Sequence, residues 1–151
     1  MPDLLPLKKD DYPAILELTR ESMEPILLEG LGFHFNEDLF REMIGDEETT
    51  TLVMWDEDAM VGYVTFYPRE DHLFINWLVV RPDYRNRGFA TMLLDEAGRA
   101  AAGLDLRALR ICLQDNNTPA IALCEAAGFR RIVHDPMGWV MEKPVIAERG
   151  D

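Results

Sequence analysis

Three arginines, Arg81, Arg85 and Arg87, fall within seven residues, and the last of them directly precedes Gly88. The run Val79-Val80-Arg81-Pro82-Asp83-Tyr84-Arg85-Asn86-Arg87-Gly88-Phe89-Ala90 joins an apolar stretch to a segment of helical periodicity. Unpaired backbone N–H groups at a helix start form an anion site that the helix dipole strengthens. Gly88 lets the backbone approach a bulky phosphate closely, and Ala90 is small to the same end. Arg85 and Arg87 add charge that a diphosphate can use. The run is neither the G-x-G-x-x-G fingerprint of dinucleotide folds nor the G-x-x-x-x-G-K-[ST] loop of nucleoside triphosphatases. Cys112 and Cys124 make no disulfide framework, and His34, His72 and His134 have no metal-ligand spacing, so no metal is expected.

The elements that must position this run follow from periodicity and turn residues. Leu4–Leu7 reads as a short strand. Asp10 and Asp11 offer caps for a helix carrying Ile15, Leu16, Leu18 and Met23, with Pro25 expected to end or kink it. Gly30-Leu31-Gly32 reads as a loop, and Asn36 as the cap of a second helix with Leu39, Phe40 and Met43 inward. Thr49–Trp55 and Met60–Tyr67 form a hairpin around the acidic turn Asp56-Glu57-Asp58. Leu73–Val80 is a nearly unbroken apolar strand, of the kind buried on both faces. A helix over Gly88–Ala102 follows, then a buried strand over Ala108–Leu113. Asp115-Asn116-Asn117-Thr118-Pro119 makes a turn and cap before a short helix, Ala120–Ala127, with Gly128 at its C-terminus. Arg130–His134 and Gly138–Lys143 read as a closing hairpin. The reading is a mixed α/β domain without repeat, linker or low-complexity tract.

A chain of 151 residues with 48% hydrophobic and 28% charged residues has the size and composition of one globular domain, residues 1–151, rather than a disordered or fibrous chain. No apolar run approaches a membrane span, and Met1-Pro2-Asp3-Leu4 does not open like a signal peptide, so a cytoplasmic protein with no membrane partner is expected. The net charge of -13 speaks against nucleic acid. The charge is uneven: residues 1–58 carry 16 acids against Lys8, Lys9, Arg20 and Arg41, whereas residues 59–151 are nearly balanced. An acidic half next to a basic cluster suits a cationic substrate beside an anionic one.

The basic run resembles the R-x-x-G-x-G/A motif of the GCN5-related N-acetyltransferase (GNAT) family, preceded, as there, by an apolar strand and P-x-Y. Downstream, Asn117-x-x-Ala120-x-x-x-Cys124-x-x-x-Gly128-Phe129 matches the family's N-x-x-A-x-x-x-Y-x-x-x-G-F at every position but one. The resemblance implies the acyl-CoA N-acyltransferase fold: a mixed, mostly antiparallel central sheet of about seven strands with four helices, splayed between strands 4 and 5. It implies acetyl-CoA as cosubstrate in that opening. The backbone of Val79 and Val80 would hold the pantetheine arm, with a strand N–H polarising the thioester carbonyl. Backbone amides of Arg85, Asn86, Arg87, Gly88, Phe89, Ala90 and Thr91 would hold the pyrophosphate. Asn117 would fix the cofactor arm or its loop, and Ala120 would leave room for it. The reaction implied is direct attack of a neutral amine on the thioester in a ternary complex.

Two departures stand out. Cys124 occupies the position of the family's Tyr, the proton donor to the leaving sulfur. The fourth strand lacks the family's Glu: by alternation His72, Phe74, Asn76, Leu78 and Val80 share a face, and His72 lies about 20 Å from Leu78 along the strand. Glu24, Glu29 and His34, in the segment that shapes the family's acceptor pocket, are the candidate bases. The acidic half suits a primary amine on a cationic small molecule or peptide. The alternative is a non-catalytic acyl-CoA-binding or regulatory module on the same fold. Homodimers are common in the family, and the resemblance leaves a homodimer open for this chain.

Overall fold

The computed structural model describes residues 2–145. Seven strands form one sheet: β1 (Asp3–Pro6), β2 (Thr50–Asp56), β3 (Ala59–Pro68), β4 (His72–Val80), β5 (Ala108–Leu113), β6 (Arg130–Asp135) and β7 (Gly138–Pro144). Their spatial order is β1-β2-β3-β4-β5-β7-β6, with β7 inserted between β5 and β6. All neighbours are antiparallel except β4 and β5. The helices are α1 (Tyr12–Leu31), α2 (Glu37–Ile44), α3 (Phe89–Gly103) and α4 (Thr118–Ala126).

Each face of the sheet has its own core. One is built from Leu93, Leu94, Ala97 and Ala101 of α3, Ile121 and Cys124 of α4, and sheet residues such as Leu73, Ile75 and Ile111. The helical repeat 93, 97, 101 places one apolar stripe of α3 on the strands. The other core sets Ile15, Leu18 and Met23 of α1 and Phe40 and Ile44 of α2 against Val53, Tyr63 and Val79.

The helical half departs from its expected boundaries. Pro25 does not end α1, which continues to Leu31, taking in Gly30. Proline cannot donate to the carbonyl four residues back. That carbonyl belongs to Glu21, and both Glu21 and Pro25 lie on the exposed face, open to solvent. The helix ends instead at Gly32, whose left-handed φ of 75° lets its N–H reach the carbonyls of Leu27 and Leu28. Asn36 caps α2, its Oδ1 accepting from Leu39 N at 3.1 Å. That start sets the phase so that Phe40 and Ile44 face the sheet and Leu39 turns outward, 62% exposed rather than inward.

β4 is where the sheet opens. Its pairing with β5 is confined to His72–Ile75 against Ala108–Ile111. Beyond Ile75 the edge of β4 that faces β5 is bare, while its other edge stays paired to β3 through Gly62↔Val80. The register against β3 passes from Thr65↔Trp77 to Phe66↔Ile75, which leaves Asn76 as an extra residue, a β-bulge. The bulge switches the parity of the strand. Before it, Leu73 and Ile75 face the α3 core; after it, Val80 and Leu78 do, while Trp77 and Val79 face α1 and α2. The five even-numbered residues of β4 therefore do not share a face.

Candidate active site

The bulge, the splay and three surrounding segments enclose a cavity of ≈ 460 Å³. Its floor is Leu78–Val80 of β4; one wall is the loop from Tyr84 and the first turn of α3; the other combines Ser22, Met23 and Ile26 of α1 with Asn116, Asn117 and the start of α4.

The α3 wall is made by backbone. Gly88 precedes the helix at φ 81°, and Asn86 is also left-handed at φ 64°. Left-handed residues in such a loop can turn neighbouring N–H groups toward one side, as in backbone sites that bind anions. Gly88 brings no side chain to cap the helix. The first intrahelical bond runs from Met92 N to Gly88 O at 3.1 Å, so the amides of Phe89, Ala90 and Thr91 have no acceptor in the helix. A Cβ at Gly88 would meet nothing within 4 Å, so the space over these donors is open.

The arginines divide their work. Arg81 is spent on Asp83, at 2.9 and 3.1 Å. Arg85 donates from Nε to the last carbonyl of β4, Val80, at 3.2 Å, and so ties the loop to the strand. Arg87 lies over the Tyr84 ring, 4.9 Å from its centroid. Tyr84 in turn donates to Asp56 at 2.9 Å, which holds its phenol above the ordinary value and anchors the loop to the β2–β3 turn. Among the described residues neither Arg85 nor Arg87 pairs with a carboxylate, leaving two cations at the mouth.

The opposite wall is made by side chains, and sequence reasoning missed it. Asn116 Nδ2 donates to the carbonyl of Ile26 at 3.1 Å, joining the β5–α4 loop to α1. Gly30 makes room for it, since a Cβ there would lie 2.8 Å from Asn116 Cγ. Asn116 Oδ1 and Ser22 Oγ are both buried without a hydrogen-bond partner. An unmade bond at a buried polar atom costs ~1–3 kcal/mol. The available signal was faint: a serine within the apolar stripe of α1, and a second asparagine beside Asn117.

The residues singled out from the sequence distribute as follows. Val79, Val80, Asn117, Ala120 and the stretch Arg85–Thr91 line the cavity, except Arg87, which stands at its rim. Cys124 does not line it; the side chain is fully buried in the α3–α4 core, and that burial pushes the thiol up to about 12. Glu29 and His34 are exposed and stand apart from the cavity lining. His34 Nδ1 lies 3.1 Å from Glu24 Oε1, and Glu24 also faces Arg20 at 3.8 Å, so this pair tethers the α1–α2 loop. No carboxylate or imidazole is among the described residues lining the cavity. No group of His, Cys, Asp or Glu among the described residues is arranged to hold a metal.

The chemistry of the walls fits acetyl-CoA. Free amides and two arginines would suit a diphosphate, a bare strand edge would suit an amide-bearing arm, and the space beside Gly88 is open. Solved structures share the architecture. A PaiA N-acetyltransferase from Thermoplasma acidophilum, in complex with coenzyme A, superposes with a TM-score of 0.78 at 16% identity, covering 95% of this chain and 99% of that one. An acetyltransferase of the GNAT family from Staphylococcus aureus Mu50 gives 0.80 at 10% identity, over 97% and 100%. NAA60 of Arabidopsis thaliana, in complex with a bisubstrate analogue, gives 0.73 at 16%, over 98% and 100%. No curated protein sequence matches the chain. The family model of the acetyltransferase (GNAT) family matches residues 12–129, and the chain belongs to that family.

Proposed function

We propose that this acetyl-CoA-dependent N-acetyltransferase acetylates a primary amine on a cationic small molecule or peptide. The observation that carries the reading is the cavity's composition: backbone donors and uncompensated arginines on one wall, and α1 with its acidic outer face on the other. Acetyl-CoA supplies a thioester whose acyl carbon an amine can attack with a thiolate as leaving group. The first-turn amides of α3 hold its diphosphate, and the bare edge of β4 orients its arm so that a strand N–H points at the acyl oxygen. Glu17, Glu21 and Glu29 stand exposed on α1 and raise the local concentration of a cation. With no carboxylate or imidazole among the described cavity-lining residues, the amine enters neutral and its proton passes to water.

Thermal unfolding with excess acetyl-CoA, against ATP as control, tests the donor half. At 100 times its dissociation constant a ligand adds ~2.7 kcal/mol. For a chain of this length the midpoint should rise by ~5 °C. Thiol release with spermidine, lysine amide and an aminoglycoside tests the acceptor half, and kcat/KM should climb with pH until the amine's own pKa. Binding without release to any amine would favour a binding module. A break in the profile near pH 6–7 would place a protein base at the site.

A further inference from the structure

We infer that Arg87 receives the 3′-phosphate of coenzyme A and makes the site distinguish the cofactor from its dephospho form, a reading that rests on the donor site proposed above. Every residue from Tyr84 to Thr91 lines the cavity except Arg87, whose side chain is exposed at the rim. The backbone of this stretch serves the inside of the cavity. The one outward side chain serves whatever part of the ligand stays outside.

The covalent structure of coenzyme A identifies that part. Its diphosphate joins two unlike halves, the pantetheine arm on one side and adenosine on the other. With the diphosphate at the first-turn amides of α3 and the arm running inward along the bare edge of β4, the ribose leaves through the mouth. The ribose carries the third phosphate, a monoester on its 3′ oxygen. Such a monoester holds a charge of about -1.5 to -2 at neutral pH, and it is the strongest anion of the ligand.

Arg87 is suited to that group by its lack of an acidic partner, its fixed position and its shape. Arg81 is spent on Asp83, and Arg85 donates back to the Val80 carbonyl, whereas no carboxylate among the described residues pairs with Arg87. Its guanidinium lies over the Tyr84 ring, 4.9 Å from the centroid. That ring stacks on Phe89 at 6.1 Å, and its hydroxyl is tied to Asp56 at 2.9 Å, so the platform itself is held. A cation resting on a fixed ring loses less rotamer freedom on binding than one that waves in water. Its planar fork can then meet two phosphate oxygens at once. In a chain of net charge -13 the long-range field opposes a polyanion, and local cations of this kind must supply the attraction.

The diphosphate is the competing partner for Arg87, and dephospho-coenzyme A separates the two, because it keeps the diphosphate and lacks only the 3′-phosphate. Dissociation constants for coenzyme A and dephospho-coenzyme A are measured by calorimetry on the wild-type protein, Arg87→Gln and Arg85→Gln, with melting curves as a folding check. Wild type should bind coenzyme A about tenfold more tightly than the dephospho form. Arg87→Gln should erase that preference, losing about tenfold for coenzyme A while its affinity for the dephospho form stays within about twofold of wild type. Arg85→Gln, whose guanidinium is turned back to the strand, should keep the preference. An equal loss for both ligands in Arg87→Gln would assign this arginine to the diphosphate and overturn the inference. Equal binding of the two ligands by wild type, or a preference that survives in Arg87→Gln, would overturn it as well, leaving the donor site standing. Failure of the wild-type protein to bind either ligand would overturn both.

Discussion

The two long walls of the cavity are built on opposite principles. The donor wall is one continuous stretch of chain, from Leu78 on β4 through the first turn of α3, and its polar groups are mostly backbone amides. The α1 wall is assembled from α1 and the β5–α4 loop, joined by a hydrogen bond between residues 90 positions apart, and its polar groups are side-chain atoms. Backbone donors are indifferent to most substitutions and sensitive only where a residue sets the backbone path. Side-chain acceptors are sensitive to identity. A cosubstrate fixed in chemistry suits the first kind of wall.

The largest effect should come from breaking the donor wall at the one position where its backbone demands a particular residue. Gly88→Val forces a β-branched side chain to φ 81°, at ~1–2 kcal/mol for the left-handed region alone. It also projects carbon into the open space above the first-turn amides. The strain lowers stability with or without ligand, whereas charge-assisted hydrogen bonds are worth ~1.5–3 kcal/mol each, so the loss of one or two takes ~3 kcal/mol from binding. Acetyl-CoA affinity should drop about a hundredfold in a direct titration. Affinity within threefold of wild type would show that the diphosphate lies elsewhere.

Much of the donor wall was legible because it is local. The apolar run, the arginines and Gly88 lie in sequence order on a strand, a loop and a helix start, and short-range rules cover each. The splay was implied only by family resemblance, and its cause was hidden. Nothing in His72–Val80 marks Asn76 as a bulge, because the extra residue is defined by the register against β3. Strict alternation consequently put residues on one face that the bulge divides. As a helix end Pro25 misled for a related reason: the helix continues past it where the freed carbonyl is on the exposed face, which is a tertiary fact. Ser22, Gly30 and Asn116 are unremarkable one at a time. Their meaning is a long-range contact that periodicity does not encode.

A second substitution sharpens the contrast by touching neither wall. Cys124 occupies the position that resemblance gives to a proton donor, yet its side chain packs in the α3–α4 core. Cys124→Ala should cost about 1 kcal/mol in a denaturant melt, as ordinary core truncations do. It should leave kcat within about threefold, since a thiolate leaves without acid assistance. A tenfold fall in kcat at unchanged acetyl-CoA KM would return the residue to the reaction.

The smallest effect tests how the α1 wall is held to the sheet. Tyr63 is fully buried on β3, and its hydroxyl lies 2.6 Å from Thr19 Oγ1 on α1, one turn before Ser22. Thr19 is itself bonded to the Ile15 carbonyl, so the phenol fixes α1 at the level of the cavity. Burial raises the phenol well above its ordinary value of 10.0. A group whose pKa is raised by folding contributes stability that is complete below its unfolded pKa and is lost as the pH climbs beyond it. Each pH unit in that window removes about 1.4 kcal/mol for one proton. Tyr63→Phe should therefore cost only ~0.5–1.5 kcal/mol at neutral pH, the value of one hydrogen bond. Above pH 10 it should lose stability less steeply than wild type. The decline should not vanish, because burial also raises the Cys112 and Cys124 thiols, to about 11 and about 12, and both remain. Acetyl-CoA affinity should stay unchanged while the amine KM rises a few-fold as α1 loosens. Parallel alkaline limbs for the two proteins would show that the phenol does not stay protonated in the fold, and that α1 is held by its apolar stripe alone.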